Sequence, residues 1–188
     1  MWTMSSYCEF ANSDPLHKSY HDHEYGFPLR SDSELFERLV LEINQAGLSW
    51  ATILRKRDGF LKAYSGFDVD SVAAYEEADR SRLMGDPSII RNRLKINAAI
   101  ENARRLIVIR GSAGSFAKWL DDHHPRSKEE WVRLFKQTFL FTGGEIVGEF
   151  LLSTGYLAGA HQRTCPIYKK ILAARPPWTI SKPKKPGA

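Results

Sequence analysis

Apolar residues recur at three- and four-residue spacing over most of this chain, the mark of amphipathic helices. Leu35, Phe36, Leu39, Val40 and Ile43 trace one such stripe, with Ser31 or Asp32 placed to cap its start. Asn44 to Leu48 interrupts the pattern around Gly47, and a second helix is expected from about Ser49 through Ile53 and Leu54 to Arg57. Asp68 introduces Val69, Val72, Ala73 and Tyr75, and a short helix is expected over Asp79 to Met84, before the turn Gly85-Asp86-Pro87. The longest stripe carries Ile89, Ile90, Leu94, Ile96, Ala99, Ile100, Ala103, Leu106 and Ile107, with Gly111 as its expected end. Ser115 to Asp122 makes a short amphipathic piece around Phe116 and Trp119, which Pro125 breaks. Ser127-x-x-Glu130 is a capping box opening a helix with Trp131, Leu134 and Phe135. Phe139 to Gly144 reads as a hairpin with two consecutive glycines, and Ile146 to Thr154 as a last helix closed by Gly155. Strand alternation and internal repeats are absent. The pattern predicts an all-α protein, one domain over residues 1–168, followed from 169 to 188 by a basic, Pro-rich tail that needs no fixed structure.

At 188 residues the chain is long enough for one substantial domain, or for two helical lobes around a cleft. No run approaches the roughly 18 apolar residues of a membrane helix, and Met1 to Phe10 lacks the charged and apolar regions of a secretory signal. A cytoplasmic protein in a reducing compartment is the expectation, in which a lone disulfide is disfavoured. The net charge of +5 is more informative for its position than for its size. Between residues 91 and 110, Arg91, Arg93, Lys95, Arg104, Arg105 and Arg110 face a single acid, Glu101, so this window holds the whole excess. Lys182, Lys184 and Lys185 add a second cluster in the tail. Concentrated positive charge is the footprint of a polyanion binder, and a solvated helix face is the plainer alternative.

Three features offer chemistry. Glu42 lies seven residues after Leu35 and three after Leu39, which puts a carboxylate on the apolar stripe, where it needs hydrogen-bond donors or a job; the alternative is an acid at a helix end that bends out to water. Trp50 would top the next helix near the same cleft. The stretch His17 to Gly26, with Tyr20 and Tyr25, is rich in groups that stack or hydrogen-bond, and with Phe10 it could line a pocket for a flat ligand or simply join the core. The two cysteines sit at opposite ends of the chain, each with a histidine at ligand spacing: Cys8 with His21, and His161 with Cys165. Two thiolates and two imidazoles make one tetrahedral zinc set, against which stand two unrelated buried thiols or a disulfide. His21, His23 and Glu24 could instead form a catalytic metal site, although the H-E-x-x-H helical spacing is missing. His123-His124 reads as a solvated helix end. Serine-hydrolase, P-loop and Rossmann motifs are absent.

These pieces occur in a telling order. Cys8 is followed by D-P-L-x-x-x-Y-H-D-x-E (Asp14 to Glu24) and by L-F-E-x-L-x-L-E-x-x-Q-A-G-L-S-W (Leu35 to Trp50). I-I-R-N-R-x-K-I-x-A-x-x-x-N-A-R (Ile89 to Arg104) comes next, and H-x-x-x-C closes the set. From Cys8 to Cys165 the chain resembles the DNA-3-methyladenine glycosylase I family. The resemblance implies a helix-hairpin-helix glycosylase of two helical lobes, with a structural zinc ion on Cys8, His21, His161 and Cys165 joining the terminal segments. It implies that Glu42 is the catalytic residue and reads the edge of a flipped base, with Tyr20 and Trp50 stacking on it or bonding to it and Tyr25, His17 and Phe10 completing the pocket. Gly47 and Leu48 would press into the gap left in the duplex. The basic window, through Arg91, Arg93 and Lys95, is the candidate for phosphate contacts. Tyr25 stands where the family usually has tryptophan, His17 where tyrosine is common, and Phe139 to Gly144 keeps only the outline of the family's G-F-x-F-V-G.

The function expected is hydrolytic release of alkylated purine, 3-methyladenine first, from double-stranded DNA, by a monomer without strand cleavage and without a membrane. A zinc-stapled protein that binds damaged DNA with weak or no glycosylase activity is the alternative from another class. A catalytic zinc hydrolase would need an open coordination position, which four protein ligands do not leave.

Overall fold

Helix α3, Asp32–Gln45, is the element around which the others gather, because from Leu35 to Asn44 almost every side chain is buried. Before it come α1 (Tyr7–Ser13) and α2 (Pro15–His23), folded against each other. After it come α4 (Trp50–Ala63), α5 (Val69–Ala73), α6 (Glu77–Gly85), α7 (Arg93–Ala113), α8 (Phe116–His123), α9 (Lys128–Thr138), α10 (Gly144–Ser153) and α11 (Tyr168–Ala173). The computed structural model describes residues 7–180, and among them every regular element is helical, with single 3₁₀ turns at Ser65–Phe67 and Pro177–Thr179. None of these helices is long and apolar enough to cross a membrane.

Helix α3 packs against α4, α5, α7, α8 and α10, and one continuous apolar cluster fills the space between them. Phe36, Phe60, Phe67, Phe116, Trp131, Phe135 and Phe150 are its bulk, and the stacked rings of Phe116 and Phe150 tie α8 to α10. A second, smaller cluster holds Cys8, Cys165, Ile167 and Ile171, with Phe27, Tyr168 and Trp178 against it. It joins the first helix to the last.

The α3 stripe, the Asp68 cap, the Ser127–Glu130 capping box and the 139–144 break lie where periodicity puts them. Other boundaries differ. The long helix starts at Arg93, capped by Asn92, and Ile89 is buried in the loop before it. It runs through Gly111 and ends at Gly114, which adopts φ 93°. A glycine inside a helix costs only about 1 kcal/mol, so the stop falls where a left-handed residue is needed. Helix α4 continues past Arg57 and past Gly59 to Ala63. The stretch from 169 onward, expected to be a tail, begins as helix α11, and the Trp178 N–H donates to the Gly155 carbonyl at 3.1 Å. The tail lysines 182, 184 and 185 lie outside the described residues. His124 is buried and His123 donates from Nδ1 to the Trp119 carbonyl at 2.7 Å, so this pair is not a solvated end. Helices α1 and α2 were legible only as motif, though Asp14 capping the Leu16 N–H with Pro15 in the first turn is a standard start.

The hairpin 139–143 between α9 and α10 is pinned from α7. The buried Asn102 amide donates to the Leu140 carbonyl at 3.1 Å and accepts from the Leu140 N–H at 2.7 Å. Arg105 adds a bond to the Thr138 carbonyl at 2.9 Å. Gly59 marks another close crossing, since a Cβ there would sit 2.5 Å from the Ser88 carbonyl oxygen. Gly59→Ala should therefore destabilise the protein by about 1–3 kcal/mol despite its better helix propensity. Urea denaturation, with an unchanged m-value and a lower midpoint, is the check.

Candidate active site and metal centre

A cavity of about 620 Å³ opens where α2, α3, the start of α4 and α10 meet. Tyr20 and Tyr25 arrive from α2 and its end, Glu42, Gln45 and Ala46 from the last turns of α3, Trp50 from the first residue of α4, and Ile146 and Glu149 from α10. Tyr7 closes the side toward α1, and Gly47, at φ 81°, forms part of the rim. The rings make a connected wall: Tyr20 lies 5.1 Å from Trp50 and 5.8 Å from Tyr25, and Tyr7 lies 5.1 Å from Tyr25. Burial keeps the three tyrosine hydroxyls protonated well above their ordinary range.

Glu42 is the unusual member. It is 4% exposed and lines the cavity, yet it takes no hydrogen bond or ion pair from the described residues. Loss of water pushes its carboxyl up to about 8, with Glu149 adding to the rise and Arg38 opposing it. Arg38, one turn earlier on α3, has a different fate. Its guanidinium donates to Tyr20 Oη at 2.9 Å, to the Ser153 carbonyl at 3.4 Å and to Glu24 at 3.4 Å, and lies 4.9 Å over the Tyr20 ring. Glu24 in turn accepts from Arg57 at 2.6 Å, and Arg57 reaches Glu37 at 2.7 Å. This chain of charges orients Tyr20 from behind and leaves Glu42 facing the cavity. Glu149 accepts from Tyr25 Oη at 3.3 Å, and burial raises its carboxyl as well. The Trp50 indole N–H is buried with no partner among the described residues.

The expected pocket residues divide. Tyr20, Tyr25, Trp50 and Glu42 converge on the cavity. His17 and Phe10 do not line it. His17 is buried behind Tyr7, whose hydroxyl lies 3.2 Å from its Nδ1, and Phe10 packs on His17 while 46% exposed. His17 lies on α2 and Phe10 on α1, and composition alone does not say which way either ring faces. Tyr7, Arg38 and Glu149 were missed. Arg38 was open to the argument that picked out Glu42, since it lies three residues after Leu35; Glu149 sits one turn after Ile146 in the same way.

The basic window is largely engaged within the protein. Lys95 is buried, and its ammonium donates to the carbonyls of Asn44 at 2.9 Å and Ala46 at 2.6 Å, so it holds the C-terminal end of α3 rather than offering charge to solvent. Arg104 binds the carbonyls of Ala73 and Tyr75, Arg110 pairs with Asp70, and Arg93 with Glu77 at 3.1 Å. Arg91 remains exposed. Near the cavity mouth the surface is instead apolar: Leu48, Leu140 and Phe141 are each about two-fifths exposed, and the Lys95 ammonium lies 5.9 Å over the Phe141 ring.

The four ligand-type residues come together. Cys8, His21, His161 and Cys165 are all buried, and their donor atoms lie within 4.8 Å of one another, a group that could hold a metal ion. Both thiols are free, which removes the disulfide. The imidazoles are oriented from outside the group: His21 Nδ1 donates to Asp22 at 2.8 Å and His161 Nε2 to the Tyr25 carbonyl at 2.7 Å. That leaves His21 Nε2 and His161 Nδ1 facing the thiols, each 3.6–3.8 Å from a sulfur. His23 is exposed and Glu24 belongs to the arginine network, so neither takes part.

Among the described residues the chain is all-helical and gathers a carboxylate without a donor and a wall of aromatic rings at one cavity. Comparison with known proteins identifies the family. A family model described as methyladenine glycosylase matches residues 10–133. DNA-3-methyladenine glycosylase 1 of Escherichia coli is 34% identical over 180 residues, covering 86% of this chain and 96% of that one. DNA-3-methyladenine glycosylase of Haemophilus influenzae is 29% identical over 182 residues, covering 87% and 98%. The solved structure of 3-methyladenine DNA glycosylase I from Staphylococcus aureus, reported for its recognition of 3-methyladenine, aligns with a TM-score of 0.78 at 33% identity over 85% of this chain and 95% of that one. The chain belongs to the methyladenine glycosylase family.

Two outcomes are expected. Cys165→Ser should lower bound metal well below one equivalent by elemental analysis and reduce Tm by several degrees. The second concerns pH. Glu42 holds its proton more tightly folded than unfolded, so its contribution to stability is complete below about 4.5 and is lost as pH rises through about 8. Glu42→Gln, which has no such proton, should gain on the wild type by a few kcal/mol between pH 5 and pH 9 in denaturant titrations.

Proposed function

We propose that this chain is a base-excision glycosylase that hydrolyses the N-glycosidic bond of a cationic alkylated purine, 3-methyladenine first, in double-stranded DNA. The observation that carries the reading is Glu42, nearly fully buried, without a donor among the described residues and facing a cavity walled by Tyr20, Tyr25 and Trp50. Alkylation at adenine N3 puts positive charge on the ring. Binding of such a base favours the ionised form of Glu42, whose proton passes to solvent, and the exocyclic amine of the base supplies the missing donor. The electron-rich rings favour the same charge. A neutral base offers Glu42 no such exchange, so the pocket selects by charge as well as by shape.

Extrusion of a nucleotide costs a few kcal/mol, least for a damaged one, which adds to the selection. The cationic base is already a good leaving group. The C1′–N9 bond breaks with its electron pair going to the base, which departs neutral; water supplies the hydroxyl to C1′ and its remaining proton passes to solvent. No lysine among the described residues lines the cavity, and the Lys95 ammonium is bound to two carbonyls, which supports hydrolysis without Schiff-base strand cleavage. Gly47 and Leu48 fill the gap in the duplex, with Leu140 and Phe141 beside them, and the 139–143 hairpin meets the backbone in the manner of a helix-hairpin-helix. With Lys95 occupied, Arg91 and Lys136, which is exposed next to the hairpin, are the phosphate contacts. In this reading the two lobes of a monomeric, cytoplasmic enzyme meet at the cavity.

The metal is zinc and its role is structural. Tetrahedral zinc with ordinary Zn–S and Zn–N bonds places its ligands about 3.3–3.8 Å apart, close to the nitrogen–sulfur distances in the Cys8, His21, His161 and Cys165 group. When bound, zinc would crosslink the first helix to the segment before the last, and the four residues leave it no open position. Glu42→Gln should fold at least as stably as the wild type and release 3-methyladenine from methylated duplex at least about a hundredfold more slowly. Release at the wild-type rate would overturn the assignment, and binding of methylated DNA without base release by the wild type would favour the damage-binding alternative.

A further inference from the structure

Behind the Tyr20 wall, the elements that frame the cavity meet a second time, around one buried guanidinium. Arg38 is 3% exposed and does not line the cavity. It donates from Nη1 to Tyr20 Oη on α2 at 2.9 Å and to the Ser153 carbonyl on α10 at 3.4 Å. From Nη2 it donates to Glu24, at the end of α2, at 3.4 Å. Glu24 carries the link on to Arg57 of α4. Position 38 is an open one in the motif L-F-E-x-L-x-L-E from Leu35 to Glu42, so the guanidinium belongs to this chain rather than to the shared pattern.

Arg38 holds Tyr20 at two points. It binds the hydroxyl, and it lies 4.9 Å over the ring, which restrains both the swing of the phenol and the rotation of its plane. Arginine has no acceptor atom and keeps its charge, so the hydroxyl can only accept in this bond and the restraint does not lapse with pH. Trp50 at 5.1 Å and Tyr25 at 5.8 Å are set against the same ring, so its angle fixes the spacing of the wall. A permanent positive charge this near a pocket for a cation is partly offset by Glu24. Its field also reaches Glu42, one turn along α3, and favours the ionised carboxylate that a cationic base requires.

We propose that Arg38 is a positioning residue for base excision, holding the Tyr20 ring at its angle in the wall and placing a fixed positive charge beside Glu42. The inference rests on the base-excision reading and adds to it a residue that touches neither the base nor the reacting bond.

The other titratable groups around Glu42 are Tyr7, Tyr20 and Tyr25, which stay protonated, and Glu145 and Glu149 from α10. Helix α4 presents Trp50, and Lys95 of α7 is held by carbonyls at the end of α3. Glu149 opposes ionisation of Glu42 and Arg38 favours it. The test is kcat/KM for release of 3-methyladenine from methylated duplex between about pH 6 and pH 9, read as a plateau and the pH of its half-height. In the wild type it should rise with pH as Glu42 ionises. Arg38→Met should lower the plateau about tenfold or more and move the half-height up by about half a unit or more. Glu24→Gln, at a side chain 32% exposed, loosens the anchor and leaves the guanidinium in place. It should lower the plateau about threefold and move the half-height down, because Arg38 loses part of its counter-charge. Lost packing alone would lower both plateaus and leave both half-heights where they were. Plateaus within about twofold of wild type, half-heights that do not move, or a wild-type profile without a rise overturn the inference and leave the base-excision reading standing. If circular dichroism shows Arg38→Met unfolded, Glu24→Gln decides by the same criteria. A wild type that releases no base overturns both.

Discussion

Two opposite charges, Arg38 and Glu42, stand one turn apart on a helix that is buried almost all round, and the site follows from how differently they are treated. An ion inside a protein must find partners or give up its charge. Arg38 has a full set: a phenol, a carbonyl, a carboxylate and the face of a ring. Glu42 has the field of Arg38 and no donor among the described residues, and it keeps its proton up to about 8. The apolar packing of α3 against five other helices holds this imbalance in place. Without that packing the carboxylate would turn to water and its proton would leave near the ordinary value.

Much of the fold was readable because helices bury one face at a fixed period. The α3 and α9 stripes and their caps are local facts, and they appear where the residues put them. The end of α7 was misplaced because Gly111 and Gly114 are equivalent as letters, and only the turn into α8 decides which one takes the left-handed conformation. Helices α1 and α2 carry few aliphatic residues; their burial comes from aromatic and histidine rings that meet the far end of the chain, a long-range contact no periodicity records. Glu42 was legible as a charge in an apolar register, and Arg38 equally so had the rule been applied evenly. His17 and Phe10 were misread because richness in rings says nothing about direction. The charge window misled for a related reason: counting arginines reveals supply, whereas Arg104, Arg110 and Lys95 are consumed by carbonyls and carboxylates that the count leaves out.

The Cys/His group shows the converse case. Each half is a loose motif, and the meaning lies in the distance between them. Closing a loop of more than 150 residues carries a large entropic cost that the rest of the core must already have met, since the four donors are gathered in a buried pocket with their outer hydrogen bonds made. Tyr25 links this group to the cavity: its carbonyl accepts from His161 while its hydroxyl donates to Glu149. One residue therefore touches both the Cys/His group and the pocket wall, and its backbone and side chain serve different ends.

Lys95 carries a last consequence. Its ammonium grips the carbonyls at the end of α3 and lies over the ring of Phe141 in the hairpin, while Asn102 and Arg105, farther along the same helix, tie down the backbone around that hairpin. The two surface edges beside the cavity thus share one rod. A hairpin transplanted from a relative would arrive without its moorings unless the facing residues of α7 came with it, so the heritable unit here is the rod together with both edges, and natural or engineered variation at the cavity mouth should travel as that block.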